Sequence, residues 1–337
     1  MTDFLNALVA LANFVLIPAT AYGAQLALGA LGVTLIFAIL RFTNIAHGDT
    51  MAFGTLVTIL VTWALQSLGI SIYPLPTALL ALPVAILATA ALLYGTDHLI
   101  YRFYRSQRAA PATFLIVSIG VMFVMNGLVR FIIGVGDQQF NDGARFIISA
   151  RDFKAWSGLR EGLALKTSQG LTIVTAILVV ALLFWFLNHT RAGKSMRAFS
   201  DNEDLALLSG INPDRVVAIT WLIVAALATI AGTLYGLDKS FKPFTYFQIL
   251  LPIFAAAIVG GLGNPVGAIA GGFVIAYSEV GVTYAWKKVL TYLMPEGLEP
   301  SALVQLLGTE YKLSVSFVIL VIVLLFKPTG LFRGTQT

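Results

Sequence analysis

No charged side chain stands between Phe4 and Leu40, between Thr50 and Thr96, or between Phe244 and Ser278. A helix rising 1.5 Å per residue needs about 20 mostly apolar residues to cross a hydrocarbon layer about 30 Å thick, so runs of this length dictate a chain that lives in a bilayer. The first run accommodates a crossing from about Ala21 to Leu40, preceded, before Pro18, by a shorter apolar segment (residues 4–18) that either spans or lies at the interface. Gly69, Pro74 and Pro76 divide the second run into helices near 51–67 and 77–96. The third is too long for one straight crossing, and Gly260, Gly261, Gly263, Asn264 and Pro265 at its middle predict two helices joined by a tight reversal. Further crossings are expected at about 112–134, 169–188 and 216–237. A last one, Leu313 to Phe326, is lengthened by Lys312 and Lys327 snorkelling to the two interfaces. Ile173 to Leu187 is apolar on every face, which excludes the alternation of a membrane barrel strand. The fold class expected is all-α: a polytopic helix bundle of eight or nine crossings, forming one transmembrane domain over residues 1–337.

Charge then separates the possible partners. Only 11% of the 337 residues are charged, and a net charge of +5 spread that thinly makes no continuous phosphate-binding face, so nucleic acid is not an expected partner. The chain has no cysteine, which excludes disulfides, thiolate nucleophiles and Cys-ligated metal centres. Met1-Thr2-Asp3 lacks the positive stretch of an export signal, so no cleaved leader is expected. Arg102, Arg105 and Arg108 form the strongest basic cluster between crossings and predict a cytoplasmic loop. That choice puts 189–215 and the tail with Arg333 inside, and a long loop, 135–168, together with 285–312 outside.

Several patterns resemble chemistry without completing it. Gly193-Lys194-Ser195 ends like a phosphate-binding loop, but Asn188 stands where the first glycine is required. Gly261-x-Gly263 followed by Gly267 sits between apolar helices rather than after a strand, and the series Gly263, Gly267, Gly271 reads as close helix packing. His47, His98 and His189 have no metal-binding spacing, and no G-x-S-x-G nominates a serine. No catalytic residue, metal site or bound cofactor is expected.

The segment from Gly193 to Val216 is the most informative polar stretch. Ser200 and Glu203 have capping-box spacing, Asp201 and Asp204 suit a helix N-terminus, and Gly210 suits a left-handed C-terminal turn. A helix from about Asp201 to Ser209 is expected, offering Leu205 and Leu208 as an apolar knob beside Ala206. Its acidic first turn disfavours anionic lipid and favours a groove on a cytoplasmic protein.

Here the sequence resembles a known family, the integral membrane subunits of ABC importers for branched-chain and other hydrophobic amino acids, of the LivH type. Arg197-Ala198, Ala206, Leu208, Gly210-Ile211-Asn212 and Asp214-Arg215-Val216 look like that family's ATPase-docking loop. Asn44-Ile45-Ala46-His47-Gly48-Asp49 is similar to its N-F-A-H-G-E stretch, with Ile45 for Phe and Asp49 for Glu. Similar patterning continues through Gly260 to Ala268 and Pro328-Thr329-Gly330-Leu331, so the resemblance covers nearly the whole chain. It implies a permease fold in a bacterial inner membrane, a homologous second permease, two ATPase subunits that bind ATP and Mg, and a periplasmic solute-binding protein. It implies ATPase docking through Arg197, Ser200, Asp201, Glu203, Asp204, Leu205, Ala206, Leu208, Gly210 and Asn212. Intramembrane polar groups usually face a cavity or another helix, which makes Asn44, His47, Gly48, Asp49 and Asn126 candidates for a translocation pathway, with an ordinary cytoplasmic turn as the competing reading for Asn44 to Asp49. For Asn126 an interhelical hydrogen bond is the competing reading. Glu279 is expected near an interface. Urea or short amides as cargo, and a self-sufficient secondary transporter, stay open.

Overall fold

The computed structural model describes residues 2–140, 142–294, 300 and 302–332. Its helices are α1 (Thr2–Leu40), α2 (His47–Ser67), α3 (Ala78–Ser106), α4 (Pro111–Ile133), α5 (Ala150–Ser157), α6 (Thr167–His189), α7 (Arg191–Asp201), α8 (Glu203–Leu208), α9 (Pro213–Lys239), α10 (Pro243–Gly260), α11 (Pro265–Thr283), α12 (Lys287–Leu293) and α13 (Lys312–Phe326). Nine of these, with α13 extended by a 3₁₀ turn from Thr309, are long and apolar enough to cross a membrane among the described residues. The only strands in that set, β1 (Phe146–Ile148) and β2 (Leu165–Lys166), pair antiparallel within the 135–168 connection.

The membrane half of α1, from Ile17, is buried along almost its whole length, with α6, α9, α10 and α11 packed around it. Small residues permit this. A Cβ on Gly272 would come within 2.7 Å of the Ala27 backbone nitrogen, and one on Gly271 would strike the Ala256 carbonyl. Of the predicted packing series, Gly267 and Gly271 carry the α10–α11 contact, while Gly263 instead takes φ +85° in the reversal. The outer ring of α3, α4, α6 and α13 turns large apolar side chains outward, Phe131 at 89% and Leu325 at 76% exposure among them. A continuous apolar exterior of this extent is tolerated only against lipid or another subunit.

The N-terminal segment is neither a second crossing nor a separate interfacial piece. It continues into α1 as one helix, about 58 Å long at 1.5 Å per residue and so nearly twice the hydrocarbon thickness. Pro18 does not end it, because the preceding turn, Ala12–Leu16, widens to a π-helix that accommodates the proline ring.

Contacts between loops sort into two sets that match nine crossings. At one end Arg102 pairs with Asp214 at 3.1 Å, Arg41 reaches Ser200, and Phe332 bonds Gly260. At the other, Gln138 pairs with Phe241, Asp142 accepts from Thr77 and the Ala78 amide, and Lys166 lies 3.8 Å from Asp238. We call these ends inner and outer, after the orientation that the Arg102–Arg108 cluster predicts.

The outer projection of α1 belongs to a small head with its own core, in which Ala7 and Ala10 pack on Val289 of α12, with Leu11, Tyr284, Trp286 and Tyr292 around them. Asn6 and Asn13 accept from the Glu161 and Ala164 amides, and Glu161 pairs with Lys288 at 2.7 Å and Tyr292 at 2.8 Å. Burial pushes the Glu161 carboxyl up, but the Lys288 and Tyr292 hydrogen bonds outweigh it and hold the group below the ordinary glutamate range. Its contribution is therefore complete above the unfolded value and is lost as pH falls through the lowered folded one. Thermal unfolding in detergent should find Glu161→Gln less stable than wild type by about 1 kcal/mol at neutral pH, with the difference vanishing at strongly acid pH.

Candidate functional site

The polar segment at the inner end folds as two helices rather than one. Thr190 caps α7 by accepting from the Gly193 amide at 3.0 Å, and Gly193, Met196 and Phe199 recur on its buried face. That face holds the helix through Ser200 to Asp201, so Ser200 is a helix-interior residue and not the expected cap. The backbone leaves helical geometry at Asn202 (φ −155°), whose Oδ1 accepts from the Leu205 amide at 3.0 Å and starts α8. Gly210, at φ +78°, closes α8 as expected: its amide bonds the Leu207 carbonyl and the Ile211 amide bonds Ala206.

Three of the docking candidates have work inside the chain. Arg197 donates to Asn188 of α6 at 3.0 Å, Asn212 caps α9 by accepting from Arg215 at 3.2 Å, and Ala206 is buried. Asp201, Glu203, Asp204, Leu205 and Leu208 all point outward, with Leu205 at 61% and Leu208 at 85% exposure. Two leucines displayed on an acidic six-residue helix form a convex knob with no counterpart in the chain's own core.

Arg41, which the sequence did not single out, lies behind this knob. It ends α1 in the left-handed region at φ 57°, a geometry that costs a non-glycine residue about 1–2 kcal/mol. From there its Nη2 donates to the Ser200 carbonyl at 2.5 Å, while Nη1 is buried without an acceptor. The break at Asn202 deprives that carbonyl of a continuing-helix partner, and the negative end of α7 favours a cation beside it.

The five pathway candidates lie together at the start of α2, with Asn126 bonded to Asp49, but they face different neighbours. Asn44 turns the chain between α1 and α2, its Oδ1 accepting from the Ala46 amide at 3.1 Å and from Tyr101 at 3.3 Å. His47 packs its ring on Gly32, and Gly48 lets α2 approach the Tyr246 carbonyl of α10. Asp49 is fully buried and accepts from Asn126 of α4 at 2.7 Å, so the interhelical reading of Asn126 holds. Asn126 is itself half-exposed, between outward-facing Phe123, Val124, Gly127 and Leu128. Cavities of about 570 Å³ at the outer end and about 440 Å³ at the inner end are lined by other residues.

A family model described as the permease component of branched-chain amino acid transport systems matches residues 16–324. The chain belongs to that family. Among its relatives, the high-affinity branched-chain amino acid transport system permease LivH of Salmonella typhimurium is 31% identical over 92% of this chain and 91% of its own length. The corresponding BraD of Pseudomonas aeruginosa is 28% identical over 92% of each chain. A probable LivH of the archaeon Methanocaldococcus jannaschii is 26% identical over 92% of this chain and 89% of its own.

One polar cluster of this permease departs from its sequence reading. Glu279 stands one turn from the outer end of α11, near the interface as expected, but its carboxylate is buried rather than solvated: it accepts from Ser316 and lies 3.5 Å from Lys312. Lys312 does not snorkel outward: it turns in, its Nζ 3.9 Å from the Tyr22 ring centroid. Lys312 opens α13 beside the outer end of α11, so its ammonium reaches this carboxylate while the side chain stays 35% exposed. Removing Lys312 strands a buried carboxylate, at a cost of about 1–3 kcal/mol since the ammonium itself is partly exposed. Lys312→Met should lower the unfolding temperature in detergent, and adding Glu279→Gln should recover most of the loss.

Proposed function

We propose that this chain is the membrane permease subunit of an ATP-driven importer for branched-chain or related amino acids, working in a bacterial inner membrane. Cargo is delivered by a periplasmic solute-binding protein, a homologous second permease completes the path, and two separate ATPase subunits bind ATP and Mg and dock on α8. Family membership supports the transport role, and the displayed leucines of α8 carry the mechanical assignment. A hydrophobic side chain of this size contributes about 1.5–3 kcal/mol when buried, so seating Leu205 and Leu208 in a groove suffices to hold a helix of six residues. Asp201, Glu203 and Asp204 then select a basic rim. ATP-driven closure of the partner displaces α8, and the permease alternates its access to the two sides.

A self-sufficient secondary transporter would have no use for such a knob. The discriminating measurement is co-purification with the ATPases after Leu208→Asp or Leu205→Asp. Each should lower their recovery at least tenfold while membrane insertion stays normal, and unchanged recovery rejects the contact. Whether the cargo is a branched-chain amino acid or an amide such as urea is read by binding assays on the cognate external protein.

For the pathway we infer that the α4 face carrying Asn126 turns toward the second permease rather than lipid. An Asn that is half-exposed and bonded to a carboxylate is a poor lipid contact, since polar groups at this depth are retained where they meet protein or water. Asp49→Ala and His47→Ala should cut uptake at least tenfold in complexes that assemble normally. Normal uptake by both removes this region from the path.

A further inference from the structure

The arm that carries the docking knob meets the bundle through Met196, Phe199 and Ala206, which are buried in its core. Beside that contact, a cavity of about 440 Å³ is lined by Leu35, Ala38 and Ile39 of α1 and by Met196 and Ser200 of α7, so the two helices are not closed against each other along their whole length. At the edge of this contact the Arg41 side chain reaches from the end of the most buried helix to the carbonyl left open by the hinge at Asn202. On its other side α7 is held to α6 by Arg197 and Asn188.

We propose that Arg41 is a positioning residue, a strut that ties the α7–α8 hinge to α1 and delivers displacement of the docking helix to the centre of the permease. This rests on the reading of α8 as the ATPase contact. The cavity beside α7 leaves it room to shift, and the Arg41–Ser200 bond ties the hinge end of α7 directly to the end of α1. A guanidinium suits the task because one arm holds the Ser200 carbonyl while the second, Nη1, has no acceptor in this arrangement and is free to take one in another. The left-handed backbone at Arg41 ends α1 at the residue whose side chain makes this bond.

Two measurements test the strut. In the complex reconstituted with its ATPases, Arg41→Met should assemble like wild type yet lose at least tenfold of the ATP hydrolysis stimulated by cargo-loaded binding protein, with a matching loss of uptake. Arg41→Lys, which keeps one charged donor, should retain more of that stimulation than Arg41→Met. Full stimulation by Arg41→Met, failure of that variant to assemble, or equal losses from Lys and Met each overturn the proposal. In the isolated permease in nanodiscs, amide hydrogen exchange across residues 199–210 should be at least tenfold faster in Arg41→Met, and unchanged exchange likewise overturns it. That second measurement needs no ATPase. A wild-type complex that forms no ATPase contact through α8 therefore defeats the docking reading while the tether is still judged separately.

Discussion

A backbone amide or carbonyl inside hydrocarbon has no water to bond, and this one constraint shapes the chain. It makes the nine crossings helical and requires every interruption to be closed by protein. The closures are specific. The Asn44 side chain satisfies the Ala46 amide in the turn from α1 to α2, and Asn264 caps α11 by accepting from Gly267 in the reversal after α10. Beyond the crossings a buried group is closed the same way: at Asn202, where α7 stops, the open Ser200 carbonyl is met by a guanidinium arriving from α1. Tolerance of Pro18 has the same origin, since a π turn absorbs the missing donor without exposing the backbone.

Function is placed where that constraint relaxes. The crossings bury what they can, and the polar chemistry collects at the two ends. The outer end builds a head from the projection of α1, α12 and the 135–168 connection, held by Glu161 and its partners. The inner end spends its few polar residues on capping α7, α8 and α9 in succession, through Thr190, Asn202 and Asn212. Three caps in 23 residues give a stiff, jointed arm rather than a loop, and a stiff arm is what a mechanical contact requires.

Much of this was legible in residue order. Charge-free runs located most crossings within a few residues because apolar length in a bilayer has one common solution, although α1 begins at Thr2 and α3 runs on to Ser106, and Gly210 announced the end of α8 because few residues accept a positive φ. Other readings failed for identifiable reasons. Ser200 had the spacing of a cap, but Met196 and Phe199 bury the same turn and keep it helical. Lys312 had the position of a snorkelling residue, yet the buried Glu279, distant in sequence, drew it inward. Arg41 was invisible because its acceptor is a backbone carbonyl 159 residues away, and a carbonyl leaves no trace in residue identity.

Residue order by itself determined a membrane bundle with an acidic, leucine-bearing helix at one end, since length, polarity and capping act over a few neighbouring residues. Tertiary structure decided which polar groups meet: Asp49 with Asn126, Glu279 with Lys312, Arg41 with Ser200. Those pairings depend on which helices become neighbours and at what depth. That is settled by the close packing of small residues such as Gly271 and Gly272 across the whole bundle, not by any local pattern.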